Sequence, residues 1–119
     1  MPDTPILIAC LCADWCGTCK DYRTLFLQMQ AEFPLARFVW VDVEDHADLV
    51  DPIEVDNFPT LLIAAQSEPQ FFGTITPHLD TLRRLIQSHS GNNSHPATQP
   101  HPVHGLVHRL RTAITTGSI

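Results

Sequence analysis

The sequence lacks any apolar run of the ~18 residues that a membrane-spanning helix needs, so we do not expect the chain to cross a membrane. One stretch, PILIACLC at 5–12, imitates a targeting signal. The residues before it include an acidic residue but no Lys or Arg, which does not fit the charged start of a signal peptide. We therefore predict that 5–12 is a buried strand and that the protein is cytoplasmic.

Basic residues are scarce: seven Lys and Arg stand against 13 Asp and Glu, which gives a formal net charge of −6. All the acidic residues lie in 1–87, whereas 88–119 holds only two arginines and five of the seven histidines. An acidic body argues against nucleic acid as a ligand. The uneven charge also indicates that the last thirty residues are a separate unit.

Cysteines are also few, and all four lie between positions 10 and 19. Bonds between such close neighbours close very short loops and cannot hold a chain of 119 residues together, so a catalytic or ligating role fits better than a stabilising one. The pair Cys16 and Cys19 is open to three interpretations: a redox-active disulfide, half of a zinc site, or a structural disulfide. No second CXXC accompanies it, so we predict no metal site.

The other two cysteines, Cys10 and Cys12, fall two residues apart in the predicted strand and so point to the same face of it. A buried free cysteine behaves as a small hydrophobic side chain, and this is our interpretation of both. The alternative is that they oxidise or join a redox cycle.

Apolar patterning predicts an α/β domain with the element order β-α-β-α-β-β-α. A helix from Gly17 ends before Phe33-Pro34, because the residue before a proline avoids helical geometry. Thr76 and Pro77 have the residue types of an N-cap and a first helical position. The predicted strands are 5–12, 37–44, 60–65 and 70–75, with a short helical turn after 44, a turn at 67–69 and a helix from 76.

Composition divides the chain into three parts. We predict a domain at 1–88, a flexible linker at 89–102 and a C-terminal amphipathic helix and tail at 103–119, since 89–102 has no apolar periodicity and several Gly, Pro and Ser residues. The helix has five apolar residues on one side, and we expect it to dock on the domain.

Cys16 stands where the first predicted strand ends and the first helix begins. The free N–H groups and positive dipole end of a helix stabilise a thiolate over a thiol, and Lys20 adds a nearby positive charge. Gly17 and Thr18 make the turn compact enough for a disulfide between Cys16 and Cys19 to open and close. The pattern therefore favours a reactive thiol at Cys16.

Two motifs resemble the thioredoxin family. WCGTCK at 15–20 is similar to its Trp-Cys-Gly-Pro-Cys-Lys signature, and NFPTLLI at 57–63 resembles its cis-proline loop. FFGT at 71–74 also resembles the Gly-containing end of its fourth strand. The resemblance implies a thioredoxin-like α/β fold: a four-stranded mixed sheet flanked by helices, here with an extra C-terminal helix and without the family's usual first strand and helix.

The same resemblance implies roles for individual residues. Cys16 would attack a substrate disulfide, and Cys19 would resolve the mixed disulfide, leaving Cys16 and Cys19 oxidised. The Phe58–Pro59 bond would be cis. Trp15, Gly17, Thr18 and Lys20 would support the dithiol, and the substrate-binding rim would consist of Trp15, Phe58, Pro59, Thr60 and Gly73.

As a function, the resemblance implies a cytoplasmic, monomeric enzyme that reduces protein disulfides without a bound cofactor, taking electrons from NADPH through thioredoxin reductase. The alternatives are a non-catalytic binding module with a redox-sensitive latch, and a disulfide isomerase or oxidase. Reduction of insulin disulfides with a dithiol donor separates the enzyme from the binding module.

The sequence departs from the family pattern in the positions around the dithiol. Cys10 and Trp40 occupy the places of a buried carboxylate and its lysine partner, which leaves open what takes the proton of Cys19. Thr18 replaces a proline, and Cys12 stands where many relatives have a second tryptophan. We expect the proline replacement to shift the dithiol in the oxidising direction.

Overall fold

A computed structural model describes residues 6–13, 17–50, 58–65, 68–76, 78–89 and 101–117. They form a four-stranded mixed sheet with helices on both faces, as predicted. The strands stand in the order β2-β1-β3-β4, with β1 and β2 parallel and the other neighbours antiparallel. The strands are β1 (Leu7–Cys12), β2 (Arg37–Asp42), β3 (Thr60–Ala65) and β4 (Glu68–Thr74), and the helices are α1 (Gly17–Glu32), α2 (Ala47–Val50), α3 (Leu79–His89) and α4 (His101–Thr116).

One face of the sheet is covered by α1 and α3. Because successive side chains of a strand point to opposite faces, the even-numbered residues of β1 and β2 lie on this face. They pack against a stripe of α1 residues three or four apart and against the apolar side of α3. The fully buried members include Ile8, Cys10, Cys12, Cys19, Tyr22, Phe26, Leu82 and Ile86.

The opposite face is covered by α4, which buries Val103, Leu106, Val107 and Leu110 against the odd-numbered residues of β1 and β2. The expectation that the C-terminal helix docks on the domain is therefore confirmed. The Arg109 Nε donates a hydrogen bond to the Leu49 carbonyl, which ties α4 to α2 (2.6 Å). The helix thus completes the core of the sheet.

Several element boundaries differ from the prediction by a few residues. The linker placed at 89–102 is too long at both ends, because α3 continues to His89 and α4 begins at His101. β4 begins at Glu68 inside the predicted turn, because an irregularity in the β3–β4 register at Ile63/Ala64 lets pairing continue to Ala65.

The start of α3 also differs from the prediction. The His78 carbonyl accepts the N–H of Leu82 (3.2 Å), so His78 occupies the N-cap position predicted for Thr76. The Thr76 hydroxyl instead lies 3.1 Å from the Thr81 hydroxyl. Pro77 lies outside the described residues.

The two helices on the first face are joined by an ion pair. Arg83 of α3 contacts Glu32 of α1 with both Nε and Nη2, the latter at 3.1 Å, and also bonds Asp80 through Nη1 at 2.9 Å. Hydrogen bonding to Arg83 lowers the pKa of Glu32. Within the described ranges, no helix is both long and apolar enough to span a bilayer.

Candidate functional site

Several predicted site residues meet at one edge of the sheet. β1 ends there with Cys12, β3 begins there with Thr60, and β4 ends there with Thr74, the register partner of Thr60. The first turn of α1 lies above the same edge, since Cys19 is bonded to Cys12. This edge, which is formed by the ends of the strands and not by an outer strand, is the candidate site.

A disulfide joins the last residue of β1 to the first turn of α1, between Cys12 and Cys19. Their Cα atoms are 5.8 Å apart, within the range of about 4.4–6.8 Å that disulfides span. Both residues are buried, with exposures of 0% and 1%. The bond thus lies beneath the start of α1.

This bond differs from the expected one, because the sequence pairs Cys19 with Cys16. The interpretation of Cys12 as a free buried thiol is also wrong, because Cys12 is bonded to Cys19. The physical reason is that α1 covers the face of β1 to which Cys12 points, so the first helical turn brings Cys19 onto the strand end. Cys16, like Trp15, lies outside the described residues, and its role stays a prediction.

Cys10 shares the face of Cys12 but lies two residues earlier in β1, between its register partners Trp40 and Leu61. Among the described residues it is a free cysteine. Burial raises the pKa of its thiol well above the ordinary value. Cys10 is therefore the small buried side chain that the sequence predicts, and it is a weak nucleophile.

The first turn of α1 suits a negative charge. Gly17, Thr18 and Lys20 are exposed, and the turn contains no acidic residue. Its unpaired N–H groups and the positive end of the helix dipole favour an anion at this point. All three residues belong to the start of α1, beside Cys19.

A shallow cavity opens beside Cys19, lined by Ala13, Cys19, Lys20, Arg23 and Trp40. The Arg23 guanidinium carbon lies 6.0 Å from the centroid of the Trp40 ring, within reach of a cation–π interaction. Among the described residues, the lining has two cationic side chains and no acidic one. Its electrostatic field therefore favours a thiolate or an anionic group at Cys19.

The proline loop lies next to the disulfide. Leu11 pairs with Thr60 in the antiparallel ladder, so one step further along both strands brings Cys12 and Pro59 side by side. The Phe58–Pro59 peptide bond is cis, and the Pro59 carbonyl accepts the N–H of Ile75 (3.1 Å). Pro59 and Thr60 are buried and Phe58 is half-buried.

Gly73 of β4 pairs with Leu61 of β3 and is half-buried, two residues before Ile75. A Cβ atom there would meet only the Phe71 ring, at 3.6 and 3.9 Å, which is ordinary van der Waals contact. The packing of the chain itself therefore does not require glycine here. Close approach of another molecule to this position would require glycine.

Asp42 is a site residue that sequence reasoning missed. The acidic run beginning at 42 reads as a solvated surface, yet Asp42 is only 7% exposed. It is the register partner of Cys12, and its Oδ1 accepts the N–H groups of Glu44 (2.8 Å) and Asp45 (3.0 Å). Its position at the end of β2, a strand that is buried on both faces, is the signal that would have found it.

Within the part of the chain that the structure describes, no three His, Cys, Asp or Glu side chains group so as to hold a metal ion.

Comparison with known proteins gives a consistent family. The family model described as Thioredoxin matches residues 2–88. Thioredoxin H2-1 of Oryza sativa is 27% identical over 95 residues, which cover 80% of this chain and 68% of that protein. The thioredoxin of Mycoplasma genitalium is 37% identical over 51 residues, 43% of this chain and half of that protein.

Solved structures agree. The crystal structure of the thioredoxin NaTrxh from Nicotiana alata superposes with a TM-score of 0.64 at 26% identity, over 71% of this chain and 73% of that one. The architecture described above is thus the thioredoxin fold, with α4 added to it.

Proposed function

Because this chain belongs to the thioredoxin family, we propose that it is a thiol–disulfide oxidoreductase that reduces protein disulfides, with Cys16 as the nucleophile and Cys19 as the resolving cysteine. The observation that carries the proposal is the disulfide of Cys19 at the junction of β1 and α1. It supports a cysteine that exchanges disulfides at this edge of the sheet.

The surroundings of Cys19 support the first step. The Cys16 thiolate attacks one sulfur of the substrate disulfide, forming a mixed disulfide and releasing the other substrate sulfur as a thiolate. The start of α1, with Lys20 and Arg23 nearby and no acidic residue in the first turn, stabilises the anionic form of the attacking sulfur.

In the second step the Cys19 sulfur attacks Cys16 and releases the reduced substrate. The Cys19 proton must leave for this attack. Cys10 occupies the place where relatives have a carboxylate, and its buried thiol is a poor proton acceptor. Water entering through the cavity beside Cys19 is the acceptor that we assign to this step.

The substrate-binding rim consists of Trp15, Phe58, Pro59, Thr60 and Gly73. An extended substrate segment would bond the backbone beside Pro59 in a local strand-addition contact. Protein disulfides are the substrate class, and the electrons would come from NADPH through a thioredoxin reductase. From the sequence, we predict that the protein is a monomer in the cytoplasm and that it has no bound cofactor.

The test is reduction of insulin disulfides with dithiothreitol as donor. Cys16→Ser is expected to lower the rate to that of dithiothreitol alone. The matched control is Cys10→Ala, which removes a neighbouring cysteine that takes no part in the proposed exchange, and it should keep the wild-type rate. A wild-type protein no faster than the donor would overturn the proposal in favour of a binding module.

A further inference from the structure

The buried Cys12–Cys19 disulfide is a bond that the two-cysteine reaction does not contain. Cys19 is the resolving cysteine in the proposed function, and it cannot resolve a mixed disulfide while it is bonded to Cys12. Neither sulfur lies on the surface, since Cys12 is fully buried and Cys19 nearly so. A protein-sized disulfide or reductant therefore has no direct access to this bond.

We propose that Cys12 is a third redox-active cysteine. After substrate reduction it replaces Cys16 as the disulfide partner of Cys19, so that the oxidised state is held in a buried disulfide. This inference rests on the proposed function for the roles of Cys16 and Cys19. The chain has four cysteines. With Cys10 free among the described residues, Cys16 is the remaining cysteine that can pass a disulfide to Cys19 within the chain.

The fold selects Cys12 rather than Cys10 for this role. Both point to the face covered by α1, but they lie two residues apart, about 6.6 Å along the strand. Cys12 is the last residue of β1, within disulfide distance of Cys19. Cys10 lies two residues earlier in β1, between Trp40 and Leu61 of the flanking strands, and stays free.

The step balances without any outside oxidant. The Cys12 thiol loses its proton, and its sulfur attacks the Cys19 sulfur of the Cys16–Cys19 disulfide. The Cys12–Cys19 bond forms, the Cys16–Cys19 bond breaks, and Cys16 leaves as a thiolate that takes up one proton. The two electrons that reduced the substrate came from Cys16 and Cys19, and this exchange only moves the disulfide.

The start of α1 supports the exchange in the same way as it supports the first step. Cys19 is the third residue of the helix, so a sulfur attacking it reaches the positive end of the helix dipole. Lys20 and Arg23 line the cavity on the Cys19 side. The attacking Cys12 thiolate is thereby stabilised as it approaches Cys19.

The exchange has a functional consequence. It returns Cys16 to the thiol form, but Cys19 is then bonded to Cys12 and cannot resolve a mixed disulfide. A second substrate that Cys16 attacks therefore stays bound to the protein as a mixed disulfide. Release then needs a small external thiol, or a return of the disulfide to Cys16. The buried bond thus acts as a redox-controlled brake on turnover.

Disulfide mapping tests this directly on the full chain. The reduced protein is oxidised with a limiting amount of insulin, quenched in acid, alkylated and cut on the N-terminal side of aspartate. Cleavage at Asp3, Asp14 and Asp21 separates fragment 3–13, with Cys10 and Cys12, from fragment 14–20, with Cys16 and Cys19. We expect the two fragments to be cross-linked in most of the oxidised protein, with alkylated Cys10 and Cys16.

Two matched variants identify the partner of Cys19. Cys12→Ala should abolish the cross-link and leave fragment 14–20 with an internal disulfide, whereas Cys10→Ala should keep the cross-link at the wild-type level. An internal disulfide alone in the wild-type protein overturns the inference, as does a cross-link that survives in Cys12→Ala. The disulfide map of the wild-type protein still tests the pairing if a variant fails to fold.

The order of events separates this inference from the proposed function. In a quenched time course, the internal disulfide of 14–20 should appear first and the cross-link later, and Cys16→Ser should form no cross-link from insulin. If Cys16→Ser forms it as fast as the wild-type protein, the relay is wrong. If insulin is not reduced at all while a chemical oxidant still gives the cross-link, the proposed function fails and the Cys12–Cys19 pairing stands.

Discussion

Cys12 and Asp42 are direct register partners across the parallel strands β1 and β2. Phe38 and Trp40 of β2 pack on the face that α1 covers, and alternation places Asp42 on that face too. A carboxylate thus lies beside the redox-active edge, held by the N–H groups of the turn that follows β2.

Asp42→Ala should destabilise the fold, because the N–H groups of Glu44 and Asp45 lose their acceptor. We expect a loss of about 1–3 kcal/mol in the free energy of unfolding, measured by urea denaturation. Asp42→Asn is the control, since its amide oxygen can still accept in an Asx-type turn. An equal loss in both variants would show that the charge of Asp42, rather than its turn bonds, stabilises this edge.

The contribution of α4 to the core can be measured with matched leucine variants. Leu110→Ala removes a fully buried side chain between α4 and the sheet and should cost about 2–5 kcal/mol in unfolding free energy. Leu27→Ala, on a 43% exposed residue of α1, should cost far less. Equal and small effects would mean that α4 does not stabilise the domain.

The Glu32–Arg83 ion pair predicts a pH dependence of stability. Hydrogen bonding to Arg83 lowers the pKa of Glu32 in the folded protein, so the pair stabilises the fold above the ordinary carboxyl pKa of 4.5. That stabilisation is lost as the pH falls through the lower folded pKa. The urea midpoints of wild type and Glu32→Gln should therefore differ at neutral pH and converge in acid.

Glu44→Gln is the matched control for that experiment, because Glu44 is an exposed glutamate outside the ion pair. Its urea midpoint should follow that of the wild-type protein across the same pH range. A difference between wild type and Glu32→Gln that persists unchanged after Glu32 has become protonated in acid would contradict the pairing as the cause.

The sequence predicts those parts of the fold that depend on local pattern. The α1 residues Tyr22, Phe26 and Met29 recur at helical spacing, and all three are buried. The pairing of Cys19 is different in kind, because it depends on which face of β1 the helix covers and on how close its first turn comes to the strand end. Two cysteines seven residues apart acquire that relationship only in the assembled sheet.

The same limit applies to Asp42. Glu44 and Asp45, which follow it closely in sequence, are acidic and exposed, and composition alone places it with them. Its burial follows from its register opposite Cys12, which is a property of two strands together. Motifs located Cys19 and Pro59 at one edge, whereas the residues between and beside them were identified from the structure.

Gly73 offers a test of the substrate rim that leaves the fold intact. In Gly73→Ala the new methyl group meets only the Phe71 ring at ordinary contact distance, so the urea midpoint should stay the same or rise slightly, since glycine weakens a strand interior. If a substrate backbone passes over this position, the methyl group should raise the KM for insulin. The kcat should be little changed, because the sulfur chemistry is untouched. An unchanged KM in a variant of wild-type stability would remove Gly73 from the binding surface and confine the substrate contacts to the Phe58–Thr60 side of the edge.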